Sequence, residues 1–332
     1  MPKTFFLWLI LWIVLPVGNQ NTLAQTQTDQ ENPADSILKK ARELRAQNQT
    51  SELHAALACY ETLLGQPRLT FPPDEQAQIY FEVGQLYFQI GNQSQAIDRL
   101  SRAADIYQST NDLLNQARII NYIGAAYLNQ GNPERASEYF RQSVERCRQV
   151  NSPEGLAVSL SNLGTAKIQL NEYAGAEQAF LEVLALREST GDQVGQAMTL
   201  YNLARLYENQ GLESKANEAY VRASGFFQTR TTPSLAKAAI FSGFGVFLVN
   251  QEKYTEGLQY LEVAAELFRS AGELNGQIIV LTAQGSIALS RGQYQKALDL
   301  GYEAMEIARQ IGNIEALQTC EHLLGNCYLW YS

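Results

Sequence analysis

Apolar residues recur along this chain at spacings of three and four, the period of a helix with one buried stripe. Ile120, Ile123 and Tyr127 form one such stripe. The block Tyr80-Phe81-Glu82-Val83-Gly84-Gln85-Leu86-Tyr87 stands 40 residues before Ile120-Asn121-Tyr122-Ile123-Gly124-Ala125-Ala126-Tyr127. The same frame returns at Leu160 to Gly164, Leu200 to Ala204, Phe241 to Gly245, Leu281 to Gly285 and Glu321 to Gly325. Successive glycine-type positions are 40, 40, 40, 41, 40 and 40 residues apart. A fixed period of this length means stacked supersecondary units, none of which buries its apolar face alone.

Each unit predicts two helices. In the first, the small residue at Gly124 and its equivalents lets a partner helix approach. A turn follows at Gly91-Asn92, Gly131-Asn132, Asn171-Glu172, Gly211-Leu212 and Gly292-Gln293, using residues that tolerate the left-handed conformation. The second helix places a small residue and then a large one four later: Ala96/Leu100, Ala136/Phe140, Ala176/Phe180 and Ala216/Tyr220. Ser152-Pro153-Glu154 and Thr232-Pro233 mark helix starts, a capping hydroxyl followed by proline in the first turn. Residues 33–332 therefore predict an all-α solenoid of seven helix pairs and a lone C-terminal helix, with a degenerate first repeat at Ser36 to Leu64.

The pattern apolar-x2-Leu-Gly-x2-Tyr…Ala-x3-aromatic resembles the tetratricopeptide repeat, in the longer 40-residue form of kinesin light chains and many bacterial and cyanobacterial proteins. Three positions depart from it: Lys167 replaces Tyr, Ala204 replaces Gly, and Gly301 falls where an aromatic belongs. The sixth unit carries an extra residue and five Phe (Phe226, Phe227, Phe241, Phe244 and Phe247), a core cluster or else an aromatic contact patch. The resemblance implies a right-handed superhelix whose first helices line a concave groove, reached from repeat positions 2, 5, 6, 9, 12 and 13 when the glycine is position 8.

Those positions are mostly uncharged and polar here. Position 13 gives an amide series, Gln89, Asn129, Gln169, Asn209 and Asn250; positions 5 and 6 add Asn121, Ser161, Asn162, Tyr201 and Asn202; position 9 adds Gln85, Thr165 and Arg205. Amides donate and accept, so they can satisfy the backbone of an extended peptide of any sequence, with Arg118 and Arg205 available for an acidic residue. A solvated amide near a helix end is equally the ordinary reading of position 13. Position 5 is never Lys, which disfavours the family's pocket for the carboxylate ends of chaperones.

Composition narrows the function further. The 332 residues carry a net charge of -9, so a phosphate-binding surface for nucleic acid is not expected. Two His and four Cys leave little material for a metal cage or a disulfide framework. Cys320 and Cys327 lie on one helix about 10.5 Å apart at 1.5 Å per residue, too far for a disulfide. There is no phosphate loop, Gly-x-Ser-x-Gly elbow or His-Glu-x-x-His in the sequence. No catalytic site, metal or cofactor is expected.

The first 24 residues read as a secretory leader. Lys3 precedes an apolar run from Phe5 to Val17, and Thr22-Leu23-Ala24 supplies small residues for cleavage after Ala24. The run is too short for a bilayer core that takes roughly 20 residues. Residues 25–32 then read as a polar tether, and the protein as periplasmic or secreted. The expected function is a non-catalytic scaffold that captures a protein or peptide segment in its groove. Two alternatives stand beside it, one being the array of a CHAT-type protease system, because arrays of this look often precede such a domain. The other is an architectural protein that self-associates, since Leu323, Tyr328, Leu329, Trp330 and Tyr331 on the last helix are expected to stay partly uncovered.

Overall fold

The computed structural model describes residues 33–47, 50–66, 71–227 and 234–331. The leader, the tether and Thr232-Pro233 lie outside these residues. The described chain holds fifteen helices and no strand. Seven pairs run in order: α1 (Pro33–Gln47) with α2 (Thr50–Leu64), α3 (Pro73–Gln89) with α4 (Gln93–Ser109), α5 (Leu113–Asn129) with α6 (Pro133–Gln149), and α7 (Pro153–Gln169) with α8 (Tyr173–Thr190). They continue with α9 (Gln193–Asn209) and α10 (Glu213–Gly225), α11 (Leu235–Asn250) and α12 (Tyr254–Ser270), and α13 (Leu274–Ser290) and α14 (Tyr294–Ile311), before the single helix α15 (Ile314–Tyr331). The all-α repeat solenoid expected from the period is the fold found. Two compact units divide it, with the boundary inside α8 after Leu186.

The turns follow the sequence signals closely. Gly91, Gly131, Gly211 and Gly292 all take positive φ, and so does Asn171 at 58°. After Gly91 and Gly131 the next residue caps the following helix: Asn92 accepts from the Gln95 amide, and Asn132 from the Arg135 amide. Ser152 accepts from the Gly155 amide ahead of Pro153, as its cap signal requires. Each capped amide is one of the donors that a helix start leaves without an intrahelical partner.

The small residue in each first helix has a specific opposite number. A Cβ on Gly84 would stand 2.6 Å from the Leu100 side chain. On Gly124 and Gly164 it would stand 2.7 Å from the rings of Phe140 and Phe180, and on Gly245 2.8 Å from Leu261. In each case the large residue lies 16 positions later, on the paired second helix. This contact repeats the core of the first unit, where Phe140 and Phe180 are fully buried.

At the end of the second unit the contact changes hands. Sixteen residues after Gly285 stands Gly301, which has no side chain to offer. α15 supplies it instead: Leu323 lies against Gly285 and Leu324 against Gly301. Leu323 is consequently only 5% exposed, contrary to the expectation that it would be partly uncovered. Tyr328 and Leu329 are exposed as expected; the side chains of Trp330 and Tyr331 lie outside the described residues.

Phe227, Phe241, Phe244 and Phe247 are buried, and the Phe244 ring stacks on Tyr220 at 5.2 Å. Four of the five phenylalanines of the sixth unit are therefore core, and Phe226 is half-buried. Lys167, which departs from the repeat pattern, pairs with Glu172 at 2.6 Å. Cys147, Cys320 and Cys327 are buried free thiols and Cys59 is half-buried. Burial pushes the Cys320 thiol up to about 11 and raises that of Cys327 as well. The described residues contain no group of three or more His, Cys, Asp or Glu placed to hold a metal, and no described helix is long and apolar enough to cross a membrane.

Candidate functional site

The first helices meet one another in successive pairs within each unit and together build one face. In the first unit it begins with two contacts between α1 and α3 whose partners stand one repeat, 40 residues, apart. Arg42 Nε donates to Glu82 Oε2 at 3.1 Å, and an Arg45 guanidinium nitrogen donates to Gln85 Oε1 at 2.6 Å. Residues one repeat apart occupy the same register on neighbouring helices, so the period itself brings them together.

Glu82 is the charged residue buried most deeply here, at 5% exposure. A carboxylate taken out of water needs donors, and it has three. Besides Arg42, Tyr60 Oη donates to Oε2 at 2.7 Å and Gln78 Nε2 to Oε1 at 2.9 Å. Burial and the Glu82 charge push the Tyr60 phenol well above its ordinary range, so it stays a proton donor. The sequence reading passed over Glu82 and both arginines. An opposite-charge pair at the repeat spacing, Arg42 with Glu82, was the signal available for finding them.

The face continues on α5. Phe81 packs edge-on against Tyr122 at 5.2 Å, and the Arg118 guanidinium lies 4.5 Å from the centre of the Phe81 ring. Burial raises the Tyr122 phenol, while its bond with Gln85 and the charges of Arg118 and Arg45 pull it the other way. Both arginines thus act on the same phenol from α1 and α5. Among the described residues, neither stands in an ion pair with a carboxylate. Farther along, Asn162 Nδ2 on α7 donates to Asn121 Oδ1 at 3.2 Å.

The expected residues divide between this face and other tasks. Gln85, Arg118, Asn121 and Asn162 come together on it. Thr165 spends its hydroxyl on the Ser161 carbonyl of its own helix. Gln89 and Asn129 are exposed at the ends of α3 and α5, Gln169 is half-buried, and no hydrogen bond joins these three amides into a ladder. In the second unit, Tyr201 is buried, its ring 6.0 Å from Tyr220, and Arg205 lies 5.8 Å from the centre of the Tyr201 ring. Asn202 and Asn209 are half-buried there and Asn250 is exposed.

Paired helices in fixed register, with arginines on the first helices α1, α5 and α9, define a helical-repeat protein. Tetratricopeptide repeats are matched over residues 115–189 and 237–310, somewhat less than half of the chain. No curated protein matches the sequence. Solved structures match the fold well. A tetratricopeptide repeat protein from Parabacteroides merdae superposes with a TM-score of 0.62 at 14% identity, over 89% of this chain and 98% of its own. Aspartyl phosphate phosphatase F from Bacillus subtilis gives 0.65 at 13% identity, over 86% and 71%. A Rap protein complexed with Competence and Sporulation Factor gives 0.57 at 12% identity, over 89% and 98%. At these identities the likeness is one of fold.

Proposed function

We propose that this chain is a non-catalytic scaffold that holds a segment of another protein against the first-helix face of its first unit. The observation that carries this reading is the pair Arg45 and Arg118. Two guanidiniums that have no ion-pair partner among the described residues flank Gln85 and Tyr122, and a carboxylate of the partner would complete them. Arg42 is already committed to Glu82, which leaves the other two for a ligand. The Asn121–Asn162 amide pair beyond them offers donors and acceptors to a partner backbone. A Rap protein of similar fold is complexed with Competence and Sporulation Factor, which supports the idea that this helix arrangement suits holding a partner. The leader pattern of residues 1–24 supports reading this work as one done outside the cytoplasm.

The test is a selection of extended peptides from a random display library on the whole chain, followed by affinity measurements at two salt concentrations. Acidic peptides are expected to dominate, with binding weakened by salt. Arg45→Ala and Arg118→Ala should each weaken it by about tenfold or more, the range of a hydrogen bond to a charged group. Selected peptides with no acidic residue, or affinities indifferent to both substitutions, would overturn the assignment.

A further inference from the structure

Gln85 lies between Arg45 and Tyr122 on the face of the first unit, and its amide has a direction. A guanidinium carries only donors, so the end of the amide that meets Arg45 at 2.6 Å is the carbonyl oxygen. Gln85 also bonds Tyr122, and that bond pulls the phenol down, as a hydrogen bond given to the phenol oxygen does. The chain therefore runs one way, from Arg45 to the Gln85 carbonyl and from the Gln85 amide nitrogen to the Tyr122 oxygen. With its oxygen accepting from Gln85, Tyr122 keeps its own hydrogen to donate. Arg118 and Arg45, whose charges act on the same phenol, cannot take that hydrogen, because neither has an acceptor. Among the described residues, no hydrogen bond donated by the Tyr122 hydroxyl is found.

Packing holds these groups in place. The Tyr122 ring is fixed edge-on by Phe81 at 5.2 Å and by Phe88 at 6.2 Å, and Arg118 is held over the Phe81 ring at 4.5 Å. Arg45, Tyr122 and Arg118 thus offer donors, while the one amide oxygen beside them is already taken by Arg45. Such a set fits an ionised carboxylate, which only accepts. It opposes an amide of the same shape, whose NH2 would meet donors. Resting on the reading of this face as one that holds a partner segment, we infer that the Tyr122 hydroxyl is a third group binding the partner's carboxylate, and that Gln85 is the positioning residue that fixes its direction.

The probes are a peptide with one Asp, taken from the display selection, and its counterpart with Asn at that place. Both are acetylated and amidated, so that the Asp side chain is the only carboxylate. Calorimetry on the whole chain measures their affinities. Tyr122→Phe is expected to bind the Asp peptide about tenfold more weakly and the Asn peptide nearly as before, with an unchanged melting temperature. Its salt dependence should match the parent's, because no charge is lost, whereas Arg45→Ala flattens it. In Gln85→Glu a carboxylate of almost the same size pairs with Arg45 and takes the Tyr122 hydrogen. Binding of the Asp peptide should then fall further, by about a hundredfold. Parental affinity in Tyr122→Phe, where Arg45→Ala and Arg118→Ala both weaken binding, overturns this inference alone. So does parental affinity in Gln85→Glu. A selection that yields no acidic peptide overturns the functional reading, and this inference with it.

Discussion

Gly124 and Gly325 occupy one register in two first helices, yet their surroundings differ completely. A Cβ at Gly124 would meet the Phe140 ring at 2.7 Å, while at Gly325 it would meet nothing. Gly124→Ala should therefore destabilise the chain by about 1–3 kcal/mol through overpacking, less what the better helix former returns. Gly325→Ala should stabilise it by up to about 1 kcal/mol, since only the helix propensity changes. Urea denaturation of the two variants at low protein concentration checks the opposite signs. Glu82 is the second residue on which much depends. Glu82→Leu would leave the Tyr60 hydroxyl buried without an acceptor, for an expected loss of about 1–3 kcal/mol, and Glu82→Gln should lose less. The same denaturation experiment decides between them. Thiol reactivity separates the cysteines: Cys59 should react first with an alkylating reagent near neutral pH. Cys320, held protonated by its raised pKa and shielded by burial, should react only as the chain opens. Mass spectrometry after timed alkylation shows the order.

Helix limits were legible because their signals are local. The turn glycines, the Asn and Ser caps and the prolines at helix starts act within four or five residues of their own position, so the sequence displays them directly. Glu252 is the exception among the turn residues, a non-glycine at φ 61° with a long side chain. The left-handed conformation costs such a residue roughly 1–2 kcal/mol, part of which glycine loses again to entropy in the unfolded chain. Glu252→Gly is thus expected to raise stability modestly, which a thermal melt would register as a higher midpoint. Asn132→Ala should act in the opposite direction by about 1 kcal/mol, because the Arg135 amide loses its acceptor.

For the molecule as a whole, the distinguishing device is α15 completing the helix pair before it. Leu323 and Leu324 fill the space that Gly285 and Gly301 leave open, so the last pair is finished only by the helix that follows it. Removing residues 313–332 should lower the melting temperature and strip hydrogen-exchange protection from α13 and α14 in particular, since repeats draw their stability from nearest neighbours. Protection in these helices that survived the truncation would show that the pair stands without α15. Gly301 was visible in the sequence as a departure from the repeat, but its compensation was not. The filling residues lie 22 and 23 positions away and deviate from no pattern of their own.

Helix number, helix pairing, the turns and the register of small against large residues could all be read along the chain. All of these follow from a short-range period written seven times over. Which polar residues gather on the first-helix face and which serve the core was set by tertiary packing. Gln85 and Asn121 belong with Arg45 and Arg118 on one face, Tyr201 turns into the core, and Glu82 is buried under three donors. Those outcomes depend on which side chains from other repeats reach the same point in space. A period places backbones in register, and burial and hydrogen bonding then sort the side chains that meet there.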